Sequence, residues 1–324
     1  MIKIGVQIIP VMMSTREIIE TAIVAEDLGF DYCLVCDEGI MPDIYVCLGA
    51  IAEKTARIRL GAVTNGYSRH PAVTAMALAS LNDLSNGRAQ AMLVAGGTPV
   101  LAPLGIERTA PLDVMRDAIE IMRQLWTGET VTWAGKRYRV NSIKLLLGRQ
   151  DIPIWVAARG PKMLALAGEL ADGVVLISKP DLNDAFEIVA TGSAVTNRRP
   201  QRIYLDQIAY TSELIEHAKS ALVYAVIDAP PRMLKNLGLA ENDAAKIKAA
   251  FARGGLSQAG KLITRQQIDT FQITGAPAEC KNQLLTLVKQ HQLDIFIMNV
   301  NSPGLAANRQ LLRDVRAFLT EADS

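Results

Sequence analysis

Hydrophobic positions along this chain follow two rhythms that take turns. Short apolar runs, rich in β-branched residues, give way to longer stretches in which apolar residues recur every three or four positions. "KIGVQII" (3–9) precedes the helical pattern "REIIETAIVAEDLG" (16–29), and "DYCLVC" (31–36) precedes "MPDIYVCLGAIAEKT" (41–55). "IRLGAVT" (58–64) is followed by "PAVTAMALASLNDLS" (71–85), and "AQAMLVA" (89–95) by "PLDVMRDAIEIMRQLW" (111–126). "ETVTWAGKRYRV" (129–140) breaks the rhythm and reads as a hairpin turning at Ala134 and Gly135. The alternation resumes with strands at 152–158, 173–178 and 202–210 and helices at 161–171, 181–196 and 212–227. A helical excursion over 231–265 follows, then a helix at 277–291, a strand at 293–300 and a closing helix at 306–321.

The strands are continuously apolar, which is the pattern of a parallel sheet buried on both faces. Strands that alternate with helices build either an open doubly wound sheet or a closed barrel. Eight strand–helix units, with no GxGxxG after the first strand, favour an α/β (β/α)8 TIM barrel. The expected organisation is one barrel domain over 1–324, with insertions near 129–140 and 228–270. Chemistry in such a barrel sits at the C-terminal ends of the strands.

Composition narrows the partners. Lys plus Arg number 34 against 33 Asp plus Glu, with no long block of either sign, so neither nucleic acid nor an anionic membrane is expected as a partner. No apolar run approaches the roughly 18 residues of a membrane span. The opening "MIKIGVQIIPVMM" lacks a small-residue cleavage site and reads as the first strand, so a cytoplasmic protein is expected. Cys33 and Cys36 form a CxxC, but on a strand residues three apart face opposite sides. No second CxxC or nearby His completes a site, so buried structural thiols and no metal are expected.

Reading the strand ends gives the candidate chemistry. Gln7 ends the first strand, and the adjacent carboxylates Asp37 and Glu38 follow the second. "LGAVTNGYSRHPA" (60–72) closes the third, placing Ala62, Val63, Thr64 and Asn65 at its mouth. Gly96 and Gly97 follow the fourth, "AARGPKM" the fifth, Ser178 and Lys179 the sixth, Tyr210 and Thr211 the seventh, and Asn299, Asn301 and Ser302 the eighth. Ala158, Arg159 and Gly160 before Pro161 suit a phosphate cradle, because the following helix offers free N–H groups to an anion. An ordinary strand-to-helix turn would look the same. Paired carboxylates can separate their pKa values for acid–base work, although capping and ion pairing are common alternatives. Gly96-Gly97 suits a tight bend.

The runs "AEDLGFDYCLVCDE", "RIRLGAVTNGYSRHPAVTAMALASLNDLSNGRA", "LAPLGIERTAPLDVMRDAIEIMR", "IPIWVAARGPKMLALAGELADGVVL" and "QITGAPAE" cover most of the chain outside 180–265. In this order they resemble the bacterial luciferase-like superfamily, and within it the methylenetetrahydromethanopterin reductases that use the deazaflavin coenzyme F-420. The resemblance implies a barrel with insertions and a hydride transfer between coenzyme F-420 and a small organic substrate. It implies a non-prolyl cis peptide at Ala62–Val63 bulging toward the central ring, with Thr64 and Asn65 beside it. Asp37 would contact the ring's polar edge, Gly96 and Gly97 would line it, and Ala158, Arg159 and Gly160 would hold the phosphate, with Ser178 nearby.

The chain departs from the family's acid–base set. Gln7 stands where those reductases have Glu, Glu38 where they have His, and Gly97 where they have an acidic residue. Gln cannot deliver a proton as a carboxylic acid does. Glu38 is therefore expected to carry the proton, with Gln7 beside the ring. The alternatives are an FMN-dependent monooxygenase and a non-catalytic flavin-binding barrel. FMN enzymes of this type present an Arg after the fourth strand, where "AGGTPVL" has none. The Ala-rich helix 71–85 suits close packing between subunits, so a homodimer or larger assembly is expected.

Overall fold

The computed structural model describes residues 2–10 and 13–320. Its elements begin with β1 (Lys3–Ile8), α1 (Thr15–Asp27), β2 (Tyr32–Cys36), α2 (Ile44–Lys54), β3 (Arg59–Asn65), α3 (Pro71–Leu84), β4 (Ala89–Val94), α4 (Thr98–Leu101) and α5 (Pro111–Leu125). The hairpin β5 (Val131–Ala134) and β6 (Arg139–Ile143) follows, then β7 (Ile154–Ala157), α6 (Pro161–Leu170), β8 (Gly173–Leu176), α7 (Leu182–Thr196) and β9 (Gln201–Asp206). The chain then leaves the barrel through β10 (Ile208–Ala209), α8 (Ser212–Ile227), α9 (Pro231–Asn236), α10 (Glu241–Gly260), α11 (Arg265–Phe271) and β11 (Ile273–Thr274). It returns by α12 (Pro277–His291), β12 (Ile295–Val300) and α13 (Leu305–Thr320). The strands close in the order β1-β12-β9-β8-β7-β4-β3-β2, all parallel, as the alternation predicts.

Side chains fill the barrel by pairing large residues with glycines. Trp155 and Tyr32 pack inside with ring centroids 5.0 Å apart. A Cβ at Gly173 would meet Trp155 at 2.6 Å, one at Gly5 would meet Tyr32 at 2.6 Å, and one at Gly61 would meet Leu34 at 2.0 Å. Cys36 belongs to this inner cluster while Cys33 faces the helices, so the CxxC is split across the strand as its spacing requires. All four cysteines are free and buried, and burial pushes Cys33 up to about 12.

Three elements differ from the sequence pattern. The hairpin turns one step later, because Gly135 lies against the buried Asp117 carboxylate, whose Oδ2 accepts from the N–H groups of Arg137 (2.6 Å) and Tyr138 (3.0 Å). The strand expected over 202–210 breaks after Asp206, which accepts from Tyr204 Oη (2.5 Å), Gln207 N (2.7 Å) and Ile273 N (2.9 Å). That carboxylate ties the departing chain to the returning one, so that β10 pairs with β11 outside the barrel. The excursion over 231–265 is three helices, and α10 is kinked at Gly254 and Gly255. The end expected for the last helix, residue 321, lies outside the described residues.

Candidate active site

The acidic side of the barrel mouth is built by the ends of β2 and β3. Asp37 donates its N–H to Val63 O (2.9 Å), and its Oδ2 accepts from Thr64 Oγ1 (3.4 Å). Burial pushes the Asp37 carboxyl up, against the pull of the Thr64 hydrogen bond and the Arg69 charge. Glu38 is pushed up to about 7, first by burial and then by the like charge of Asp37. Its carboxyl has no hydrogen-bond partner among the described residues. Helix capping is not its role: α2 starts at Ile44, and Asp43 caps it through Tyr45 N (2.9 Å) and Val46 N (3.1 Å).

The β3 stretch is more regular than the family resemblance implies. No cis peptide occurs among the described residues, so the expected cis bond at Ala62–Val63 is corrected to trans. The reason lies in the ladder: β3 stays in unbroken register with β4 through Val63, Thr64 and Asn65, opposite Met92, Leu93 and Val94. Ala62 consequently faces the helix layer, fully buried, and does not join the mouth, whereas Val63 faces the barrel interior. The Asn65 carbonyl is committed locally, since its Oδ1 accepts from Tyr67 N (2.8 Å) and Ser68 N (2.9 Å).

After β4, Gly96 has φ +76°, and a Cβ there would meet Leu101 at 2.7 Å and Tyr67 at 3.1 Å. Only glycine fits that bend. Gly97 precedes α4, where Thr98 donates from N (3.1 Å) and Oγ1 (3.0 Å) to Asp228. Arg108 joins them, donating to Gly96 O (2.9 Å) and to Asp228 (3.3 Å).

After β7, α6 opens with Gly160 as its N-cap, no side-chain cap, and Pro161 in its first turn. Nothing lies within 4 Å of a Cβ built on Gly160. Ala158 N–H donates to Val175 O (3.3 Å). Arg159 is turned away from the expected phosphate: its Nη1 donates to Ala225 O (3.1 Å) and Tyr224 O (3.5 Å) in the last turn of α8. The basic residue beside this turn is Arg232, from α9. It forks onto Asp181 (2.9 and 2.6 Å), reaches Arg159 O (3.0 Å), and keeps Nη1 without a partner. Arg232 and Asp228 were missed by reading strand ends because the excursion after β9 carries them, and Arg108 because it lies far along the β4–α5 connection rather than at the strand end.

The remaining strand ends divide clearly. Gln7 Nε2 donates to Asn299 Oδ1 (2.9 Å), and Gln7 Oε1 is buried without a partner, as is Ser178 Oγ. Lys179 holds the carbonyls of Asp269 (2.7 Å) and Gln272 (2.6 Å), Tyr210 pairs with Asp314 (2.7 Å), Thr211 caps α8, and Ser302 pairs with Asn308. Those four are structural. A groove of about 700 Å³ outside the mouth is lined by Lys179, Arg265, Asp269 and Glu279, but its charges are satisfied locally: Arg265 pairs with Asp269 at 2.7 Å. Among the described residues no three His, Cys, Asp or Glu gather as a metal site.

The mouth therefore combines an uncapped helix N-terminus with open space before it, orphaned polar atoms on Ser178 and Gln7, and an unpaired carboxyl. Those features fit a planar polar ring carrying an anionic tail. The family model for luciferase-like monooxygenases matches residues 3–291. The 5,10-methylenetetrahydromethanopterin reductase of Archaeoglobus fulgidus is 34% identical, over 96% of this chain and 97% of its own length. That of Methanolobus tindarius is 34% identical over 87% and 90%. The solved coenzyme F-420-dependent tetrahydromethanopterin reductase of Methanopyrus kandleri superposes with a TM-score of 0.86 at 25% identity, over 97% of both chains. With the fold, the matched length and the identities in agreement, this chain belongs to the luciferase-like monooxygenase family.

Proposed function

We propose that this chain is a coenzyme F-420-dependent oxidoreductase, similar to the methylenetetrahydromethanopterin reductases, acting on a small organic substrate. The observation that carries the reading is the Glu38 carboxyl, unpaired at the mouth and titrating near neutrality, in a chain similar over its whole length to coenzyme F-420-dependent reductases. Bound there, the coenzyme would supply the hydride donor or acceptor. The chain's residues handle the rest. The N–H groups opening α6 at Gly160, with the Ser178 hydroxyl, would hold the anionic tail, and Ala158, whose N–H is committed to Val175 O, would only line it. Asp37, steadied by Thr64, would accept from the ring's polar edge, and Val63, Gly96 and Gly97 would line it. Gln7, fixed by Asn299, presents Oε1 to the mouth, and Glu38 moves the proton to or from the substrate.

Calorimetric titration with coenzyme F-420 and with FMN tests the cofactor, and a screen of imines, aldehydes and alcohols tests turnover. Tighter binding of coenzyme F-420 is the expected result. A second reading, FMN-dependent oxygenation, is favoured by one observation: Arg108 comes to the end of β4 although "AGGTPVL" contains no Arg. FMN binding at least as tight would reverse the order.

The reading extends to a single folding unit, a cytoplasmic setting consistent with four free buried thiols, and a homodimer. No helix among the described residues is long and apolar enough to cross a membrane. Support for the dimer comes from α3, whose outer face carries Val73, Met76, Ser80 and Leu84, with Val46 (65% exposed) beside it on α2. Sedimentation at micromolar concentration should show a dimer, and Met76→Glu should yield monomer; a wild-type monomer would refute this part.

A further inference from the structure

The mouth has a second wall, made by the adjacent strands β1, β12 and β9, and it carries amides where the neighbouring end of β2 carries carboxylates. Inward positions follow the two-residue period of each strand. On β9, Ile203 and Leu205 face the barrel interior, and Gln207 directly follows the strand's last residue, Asp206, at the C-terminal end. On β12, Ile295 and Ile297 face inward, Asn299 continues that alternation, and Asn301 directly follows the strand's last residue, Val300. Asp206 stands opposite Met298 in the β9–β12 register, which sets Gln207 beside Asn299, and Asn299 bonds to Gln7 on β1.

These amides are costly where they stand. Gln207 is 1% exposed, and neither its Oε1 nor its Nε2 has a partner; Gln7 Oε1 and Asn301 Oδ1 are likewise unpaired. A buried unpaired polar group destabilises a fold, so an apolar residue of equal size would serve packing better. The wall is also neutral. Lys179, which follows the neighbouring strand β8, is held on the carbonyls of Asp269 and Gln272, and Asp37 and Glu38 at the end of the neighbouring strand β2 repel anions. An amide offers donors and acceptors together, which matches a group that does the same or accepts only, without charge.

We propose that Gln207, with Gln7 and Asn301, recognises the substrate, and that the substrate is a small uncharged carbonyl, hydroxyl or amide compound. This rests on the oxidoreductase reading above. The probes are butanamide and butanoate, equal in size and differing in charge, titrated into the coenzyme F-420-loaded protein. Wild type should bind butanamide at least 10-fold tighter than butanoate. Gln207→Met should lose at least 10-fold in butanamide affinity, keep its coenzyme F-420 Kd within twofold, and raise the ligand-free Tm by about 2–4 °C. Asn301→Leu should weaken butanamide in the same direction. Equal or tighter binding of butanoate would overturn the proposal. So would a Gln207→Met protein with lowered Tm and unchanged butanamide affinity, the signature of a structural amide. Failure of wild type to bind coenzyme F-420 would strike the oxidoreductase reading alone, and the same titrations and melting curves on ligand-free protein would then decide the role of Gln207.

Discussion

The two ends of the barrel treat polar groups in opposite ways. At the N-terminal end, the Glu26 carboxylate accepts from Ala56 N (2.9 Å), Arg57 N (2.7 Å) and Ile58 N (2.8 Å). Arg88 there donates to Ser85 O, Thr55 Oγ1, Ile58 O, Ala52 O and Thr55 O, each within 3.0 Å. At the C-terminal end, Glu38, Gln7 Oε1, Ser178 Oγ and the whole Gln207 amide are left unpaired. One end stores stability in satisfied networks, and the other keeps free groups for a ligand at a cost in stability. The lesson is that, of the two ends of the strands, the one with unpaired polar side chains is the working end.

The largest effect should come from breaking the satisfied end. Arg88→Ala strands several buried carbonyls and should destabilise the protein by about 3–5 kcal/mol in denaturant titration, leaving the coenzyme F-420 Kd of the remaining folded protein unchanged. If that Kd weakened as well, the two ends would not be separable. The acid side of the stability curve sharpens the point. Burial raises the Glu26 pKa, but the N–H donors of Ile58, Arg57 and Ala56 outweigh it and hold the carboxyl below its ordinary value. A depressed folded-state pKa means its stabilisation is present above the unfolded pKa near 4.5 and is lost as pH falls below that, whereas Glu26→Gln should remove this loss.

A smaller effect is expected at the free end. Gly160→Val adds a side chain where nothing stands within 4 Å, so the Tm should stay within about 1 °C while coenzyme F-420 binds at least 10-fold more weakly. Unchanged affinity would place the anionic tail elsewhere. The smallest effect is Asp43→Ala, which removes the α2 cap and should cost about 1 kcal/mol without altering coenzyme affinity. A loss in affinity there would mean that the α2 N-terminus, and not Glu38 alone, organises the acidic side.

Most of the barrel was legible because its signal is local. Each strand is a short apolar run and each helix a periodic one, so their order fixed the architecture. Asp37, Glu38 and Gln7 were legible for the same reason, since a strand end is a position readable from one segment. Arg232 and Asp228 were not, because the excursion carrying them folds back across the mouth, and no local pattern records where a returning helix docks. Arg159 shows the reverse case. Its position was read correctly, but the α8 carbonyls of Ala225 and Tyr224 claimed its guanidinium. The Ala62–Val63 bond was drawn from resemblance alone, and the uninterrupted β3–β4 register overrules it.

The account stands most directly on the proton held by Glu38. Its folded-state pKa near 7 lies above its unfolded value, so the carboxyl is protonated below that pH and ionised above it. The decisive measurement is steady-state turnover from pH 5 to 9 with reduced coenzyme F-420 and the best acceptor from the screen, for wild type and Glu38→Gln. Wild type should lose activity as pH rises through about 7. The variant should turn over roughly 100-fold more slowly, without that limb, and with its coenzyme Kd within twofold of wild type. A Glu38→Gln enzyme with wild-type turnover and the same pH limb would contradict the account.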